Sequence, residues 1–209
     1  MPKLWNETIE AHRRAVRETT LDVTAALVAE HGPASVTMSQ IAGAAGIGRA
    51  TLYKYFPDVG SVLAGWYERE VSAQLVRLAE LRDREDDPAR RLTAVLHGYA
   101  LLVREQAPGL GLGALPTDDE RVARTRRLLL DLFRELLARA ADSGAVRDDT
   151  APEELAAYCL HALGAAAELP TTTRPAGPAG AAPVPAALER LVTVTLAGLS
   201  PGGGAAADS

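Results

Sequence analysis

One stretch of twenty residues, 37–56, constrains the fold of this 209-residue chain more than any other. It predicts two short helices, over residues 38–45 and 49–56, on either side of a turn formed by residues 46–48. Two helices joined by a short turn that contains glycine form the helix-turn-helix pattern, whose second helix enters the DNA major groove. The stretch therefore predicts a compact DNA-reading unit.

The spacing of the side chains predicts which side of this unit is buried. A small apolar interior is expected from Ile41, Ala45, Ile47, Leu52 and Phe56. The opposite face of the second helix then carries Arg49, Ala50, Tyr53 and Lys54. Residues 33–57 contain no Asp or Glu, and the local absence of acid suits contact with phosphate.

The composition limits the remaining classes of function. A formal charge of −5 and a pI near 5.4 do not indicate a nucleic-acid binder, so any DNA contact has to be local. The single Cys159 excludes an internal disulfide and argues against a zinc finger. No apolar run reaches the ~18 residues of a membrane span, and the first residues lack the apolar stretch of a signal peptide. We expect a soluble cytoplasmic protein that needs no cofactor.

Helical periodicity continues through the chain and predicts an all-α fold. Further helices are expected over residues 7–31, 59–84, 89–106, 118–141, 152–169 and 185–199. The glycine-rich residues 109–113 interrupt the pattern. Residues 170–185, rich in Pro, Ala and Gly, predict a mobile loop, and residues 201–209 predict a disordered tail.

The helix-turn-helix segment resembles the TetR family of bacterial transcriptional repressors. The resemblance rests on a long first helix followed by Thr37, Ile41-Ala42, Ala45-Gly46-Ile47, Thr51-Leu52-Tyr53 and Phe56-Pro57. It implies a DNA-binding domain over residues 1–57, followed by a helical effector-binding and dimerisation domain over residues 58–200. It also implies a homodimer that binds a double-stranded DNA operator and is released from it by a small molecule of unknown identity.

The same resemblance assigns DNA contacts residue by residue. Base edges are expected to be met by Ser39, Arg49, Ala50 and Tyr53, and phosphates by Thr37, Thr51, Lys54 and Tyr55. One departure concerns the start of the fourth helix, where many members carry a lysine and this chain has Val59. The N-terminus of that helix can itself hold a phosphate, but fewer charged contacts are expected there.

Large aromatic and histidine side chains beyond the helix-turn-helix are candidates for an effector pocket. The candidates are Trp66, Tyr67, His97, Phe133 and His161. Ordinary core packing is the competing interpretation of each of them. An aromatic or hydrophobic small molecule would fit these side chains best, and His97 could orient a carboxylate or hydroxyl on it.

The last two predicted helices carry wide apolar stripes that indicate either inward packing or a two-fold dimer interface. The stripes consist of Leu155, Tyr158, Cys159 and Ala162 and of Leu188, Leu191, Val192, Thr195, Leu196 and Leu199. Two other functions stay open beside the DNA-binding regulator. One is an enzyme built on a helical bundle, although no catalytic motif is present. The other is a helix-turn-helix module that contacts protein and has no operator.

Overall fold

The computed structural model describes residues 2–105, 119–169 and 186–201, and for residues 2–8 only the helical backbone. Within these ranges the chain is all-α, as predicted, with eight α-helices, two short 3-10 turns and no strand. The helices are α1 (Pro2–His31), α2 (Met38–Ala44), α3 (Arg49–Tyr55), α4 (Val59–Asp83), α5 (Pro88–Glu105), α6 (Glu120–Asp142), α7 (Pro152–Gly164) and α8 (Ala186–Leu199). None of the described helices is long and apolar enough to cross a membrane.

Most predicted helices agree with the observed ones within two residues. Two differences stand out: α1 begins at Pro2 rather than at residue 7, and α7 ends at Gly164, after which Ala165–Glu168 form a 3-10 turn. A second 3-10 turn, Pro33–Ser35, was not predicted. The predicted glycine-rich break, the loop 170–185 and all of the predicted tail except Pro201 lie outside the described residues.

The chain divides into two compact units, and the division falls within α4 and again within α6. The first unit takes the described residues of 1–71 and 107–125, and the second takes those of 72–106 and 126–209. The first turns of α4 therefore belong to the same unit as α1, α2 and α3. Ion pairs support this grouping, because Arg69 of α4 lies 2.8 Å from Asp22 and 3.2 Å from Glu18 of α1.

The buried face of α1 is set by residues one helical turn apart. Thr20, Leu21, Thr24 and Val28 are all buried, whereas the apolar Val16, Val23 and Leu27 are only half-buried. Both threonines can be buried because their hydroxyls donate to backbone carbonyls four residues earlier, each at 2.7 Å. The inner face of α1 therefore includes two threonines as well as apolar residues.

The core of the second unit contains an edge-to-face contact between Tyr99 of α5 and Phe133 of α6, with ring centroids 5.3 Å apart. Helices α4 and α5 approach closely at Gly98, where an added Cβ would lie only 2.2 Å from Cδ1 of Leu81. An alanine at this position would therefore require the Leu81 side chain to move.

The two apolar stripes predicted near the C-terminus are largely used within one chain. Leu155 and Cys159 of α7 and Leu188, Val192 and Leu199 of α8 are buried in the second unit. Of the two interpretations of these stripes, inward packing therefore accounts for most of their side chains. The outward faces of α7 and α8 carry Tyr158, a member of the predicted stripe that is exposed, and Val194, which lies outside the predicted stripe and is also exposed.

Candidate functional site

Local hydrogen bonds fix the start of α2, and a glycine forms the turn between α2 and α3. The Thr37 side chain accepts from the backbone N–H of Gln40 at 3.3 Å, and the Gln40 side chain accepts from the backbone N–H of Thr37 at 2.9 Å. This reciprocal capping box fixes the start of α2. Gly46 adopts a φ of +66°, a left-handed conformation that favours glycine, so the chain can reverse here without strain. The sequence of the turn thus sets the angle at which α3 leaves it.

Helix α3 has one buried side and one exposed side, as the spacing predicts. Leu52 is fully buried, and Ile41 of α2 is equally inaccessible. Arg49, Ala50 and Lys54 are exposed, and 46% of Tyr53 is accessible. The structure therefore brings a guanidinium, a methyl group, a phenol and an ammonium together on one solvent-facing side of a short helix.

The hydroxyl side chains predicted to meet DNA lie around this face with different degrees of freedom. Ser39 is exposed on α2, and Thr51 and Tyr55 are half-buried on α3. Thr37 is exposed too, but its hydroxyl donates to the Gln40 side chain at 2.7 Å while it caps α2. A phosphate contact from Thr37 would share that hydroxyl with the helix cap.

The start of α4 differs from the expectation that it can hold a phosphate. The carboxylate of Asp58 accepts the backbone N–H of Ser61 at 2.7 Å, and the Ser61 hydroxyl donates to the Asp58 carbonyl at 2.7 Å. A negatively charged side chain therefore already occupies this helix N-terminus and repels a second anion. The N-terminus of α4 also carries Val59 in place of a lysine, so it is a weak candidate for phosphate contact.

A groove beside α3 combines three predicted phosphate contacts with four α1 residues that were not predicted to contact DNA. Its volume is about 630 Å³, and α1 and α3 line it with Glu10, Arg13, Arg14, Arg17, Thr51, Lys54 and Tyr55. In the sequence, these α1 residues are indicated only by the run HRRAVR, residues 12–17, which places three arginines at i, i+1 and i+4 on one helix. This signal is weak in the sequence, because the charges lie outside the helix-turn-helix and an arginine-rich helical face is usually only solvated.

The predicted effector residues of the first unit are deeply buried. Trp66 and Tyr67 lie in the first half of α4, and each is only 1% exposed. The indole Nε1 of Trp66 is buried, and no described residue accepts a hydrogen bond from it. A buried donor without an acceptor is costly, so the site favours an incoming acceptor.

The predicted effector residues of the second unit are in different environments. Phe133 is buried against Tyr99, as core packing requires. His97 is only half-buried; its Nδ1 is 3.0 Å from the Thr93 carbonyl, and its Nε2 is 3.2 Å from a Glu189 carboxylate oxygen. Both ring nitrogens of His97 thus have protein partners, which leaves it less suited to orienting a ligand.

His161 of α7 is exposed, with Nδ1 2.8 Å from the Ala157 carbonyl. An exposed side chain of this kind does not line an interior cavity, which weighs against the predicted pocket role of His161.

Comparison with known proteins gives matches in both halves of the chain. The family model described as bacterial regulatory proteins, tetR family, matches residues 21–58. The model described as the C-terminal domain of SbtR-like transcriptional regulators matches residues 102–201. Nucleoid occlusion factor SlmA of Vibrio campbellii is 30% identical over 95 residues, which are 45% of this chain and 48% of SlmA. The chain thus spans about half the length of that curated relative.

Solved structures extend the likeness over most of the chain. SmeT, the repressor of the Stenotrophomonas maltophilia multidrug efflux pump SmeDEF, is 26% identical with a TM-score of 0.62, covering 90% of this chain and 91% of SmeT. RolR, solved in complex with resorcinol, is 18% identical with a TM-score of 0.63, covering 92% of this chain and 91% of RolR. The likeness to RolR concerns the fold alone.

Proposed function

Because the chain belongs to the TetR family of bacterial regulatory proteins, we propose that it is a repressor that a small molecule releases from a near-palindromic DNA operator. Its family matches are transcriptional regulators and not enzymes.

The observation that carries the proposal is the exposed face of α3. Arg49, Ala50, Tyr53 and Lys54 project from one side of a helix whose other side is anchored by Leu52. An arginine can donate two hydrogen bonds to O6 and N7 of guanine, and a small apolar group can meet a thymine methyl. Residues 33–57 carry no carboxylate, so nothing on this segment repels the phosphates beside those bases.

A homodimer is proposed through the outward faces of α7 and α8. Residues 191–200 contain no charged side chain, and Val194 is 66% exposed. Tyr158 of α7 lies across α8 at Gly198, where an added Cβ would come within 3.1 Å of the tyrosine oxygen. The uncharged C-terminal part of α8, with the small Gly198 beneath Tyr158, suits close approach of a second copy. Such a dimer would present two α3 helices about 34–36 Å apart, one DNA turn.

The effector part of the proposal is supported by Trp66. Its buried indole N–H has no acceptor among the described residues, and an aromatic hydroxyl or carboxylate could supply one. RolR, a chain of the same fold, was solved with the aromatic molecule resorcinol. For release from DNA, the effector has to prefer the conformation that does not bind DNA, and ~100-fold preference corresponds to about 2.7 kcal/mol.

The DNA part is tested by selecting bound duplexes from a random pool. We expect enrichment of one sequence with two related halves about one turn apart. Arg49→Ala should then cost about 1–3 kcal/mol of discrimination at one position in each half, whereas Lys54→Ala should weaken binding to all sequences alike. A pool that acquires no common sequence would overturn the operator and leave the helix-turn-helix as a protein-contact module.

The effector part is tested by tryptophan fluorescence with a panel of small phenols and aromatic acids. The chain has two tryptophans, Trp5 and Trp66, so the Trp66→Phe variant separates their signals. We expect a compound that releases DNA to change the emission of the unmodified protein and not that of the variant. A releasing compound that changes both signals equally would place the effector elsewhere.

A further inference from the structure

The groove between α1 and α3 concentrates positive charge beside the reading helix. Four of its lining side chains are cationic, Arg13, Arg14 and Arg17 of α1 and Lys54 of α3, and only one is acidic. Like charges gathered at one place repel one another unless an anion lies between them. The groove therefore has the electrostatic character of an anion site.

The single carboxylate of the groove does not neutralise this charge. Glu10 lies 2.9 Å from Nη1 of Arg13 one turn along the same helix, so it balances that residue alone. Neither Arg14 nor Lys54 forms an ion pair or a hydrogen bond with any described side chain. Two cations thus remain unbalanced in a groove of about 630 Å³.

The remaining arginine is held in position by the fold. The guanidinium of Arg17 lies 4.9 Å from the centre of the Phe56 ring, a cation–π contact at the end of the helix-turn-helix. Arg17 forms no ion pair with any described carboxylate, so an anion in the groove would be its first charged partner. Thr51 and Tyr55 add two hydroxyls on the α3 wall, and hydroxyls commonly donate to phosphate oxygens.

We infer that Arg13, Arg14 and Arg17 of α1 form a second phosphate-binding wall, so that one DNA strand passes between α1 and α3. The inference rests on the proposed function, since it requires α3 to enter the major groove. The sugar-phosphate backbone then flanks α3, and Lys54 links the exposed face of α3 to the groove. The DNA contact surface thereby extends beyond the helix-turn-helix onto the first helix.

Phosphate contacts of this kind have a distinct signature in binding experiments. Each phosphate neutralised by a cation lowers the slope of log K against log salt concentration by about 0.9, because condensed counterions are released. Contacts from α1 carry no sequence information, so they should contribute equally to operator and random duplexes.

The test uses the full chain and a fluorescent random-sequence duplex of ~30 base pairs, with anisotropy measured from about 50 to 200 mM salt. Arg14→Gln should reduce the steepness of the salt dependence by about 0.9 for each protomer that contacts DNA. Arg127→Gln is the matched control, because Arg127 is an exposed helical arginine of the second unit. Glu10→Gln should act in the opposite direction and tighten binding, an effect that a misfolded variant cannot produce.

The outcomes separate this inference from the proposed function. If the unmodified protein fails to bind any duplex, both are overturned. If it binds and Lys54→Gln weakens binding, while Arg14→Gln and Glu10→Gln behave like Arg127→Gln, the α1 wall alone is overturned. A reduced slope for Arg14→Gln together with tighter binding by Glu10→Gln supports it.

Discussion

Replacing Val194 by aspartate tests the proposed dimer more sharply than any change in the inner stripe. Val194 lies on the outward side of α8 and is 66% exposed, so the folded monomer depends little on it. Leu188 and Val192, one turn apart on the inward side, are fully buried, and their replacement would unfold the second unit whether or not a dimer exists. A substitution at Val194 therefore tests association of two copies without disturbing the fold of either.

The expected loss of dimer stability follows from the exposed fraction of Val194. Complete burial of a valine side chain contributes about 1.5–3 kcal/mol, and about two-thirds of that is available when a second copy covers Val194. A two-fold axis doubles the contribution, to about 2–4 kcal/mol for the pair, before the cost of burying carboxylates is added. The dimer dissociation constant should therefore rise about 30- to 1,000-fold.

The assay is light scattering or sedimentation over a protein concentration series, with thermal unfolding of each sample as a check on folding. Val76→Asp is the matched control, because Val76 is a 60% exposed helical valine of the same unit, on α4. We expect Val194→Asp to become monomeric at concentrations where Val76→Asp and the unmodified protein remain dimeric. Equal association of all three would refute the interface, and a monomeric unmodified protein at micromolar concentration would refute the dimer itself.

Two further predictions concern the second unit. Gly98→Ala should be about 1 kcal/mol less favourable than Gly164→Ala in urea unfolding, because its Cβ would lie 2.2 Å from Cδ1 of Leu81, which has to move. Gly164→Ala has nothing within 4 Å of the added Cβ and should be neutral or slightly stabilising; equal effects of both changes would contradict the close approach. Arg147 holds the pKa of Asp149 down, from 3.8 to about 2, so this pair should stabilise the fold above pH 3.8 and lose its effect as the pH falls through about 2. Asp149→Asn should therefore flatten the decline of the melting temperature between those pH values, and an unchanged decline would contradict the pairing.

The helix-turn-helix could be derived from the sequence because its determinants are local. Thr37 and Gln40 cap α2 across three residues, Gly46 supplies the left-handed turn, and Leu52 lies one turn before Phe56 on the apolar side that faces inward. Each of these interactions joins residues close in sequence, so composition and periodicity are sufficient to predict them. The exposed face of α3 follows once its buried face is known.

Features that depend on distant parts of the chain required the tertiary structure. His97 pairs with Glu189, ninety-two residues away, and no local pattern indicates that its ring nitrogens are already engaged. The approach of Arg14 to Lys54 depends on the angle between α1 and α3, which the packing of the first unit decides.

Both faces of α8 carry apolar residues, so periodicity alone did not show that Val192 packs inward and Val194 outward. The sequence determined which segments form helices and where the reading face lies, because hydrogen bonding and apolar spacing act within one or two turns. Only the packing of helix against helix decided which side of each helix is free for DNA, effector or a second copy.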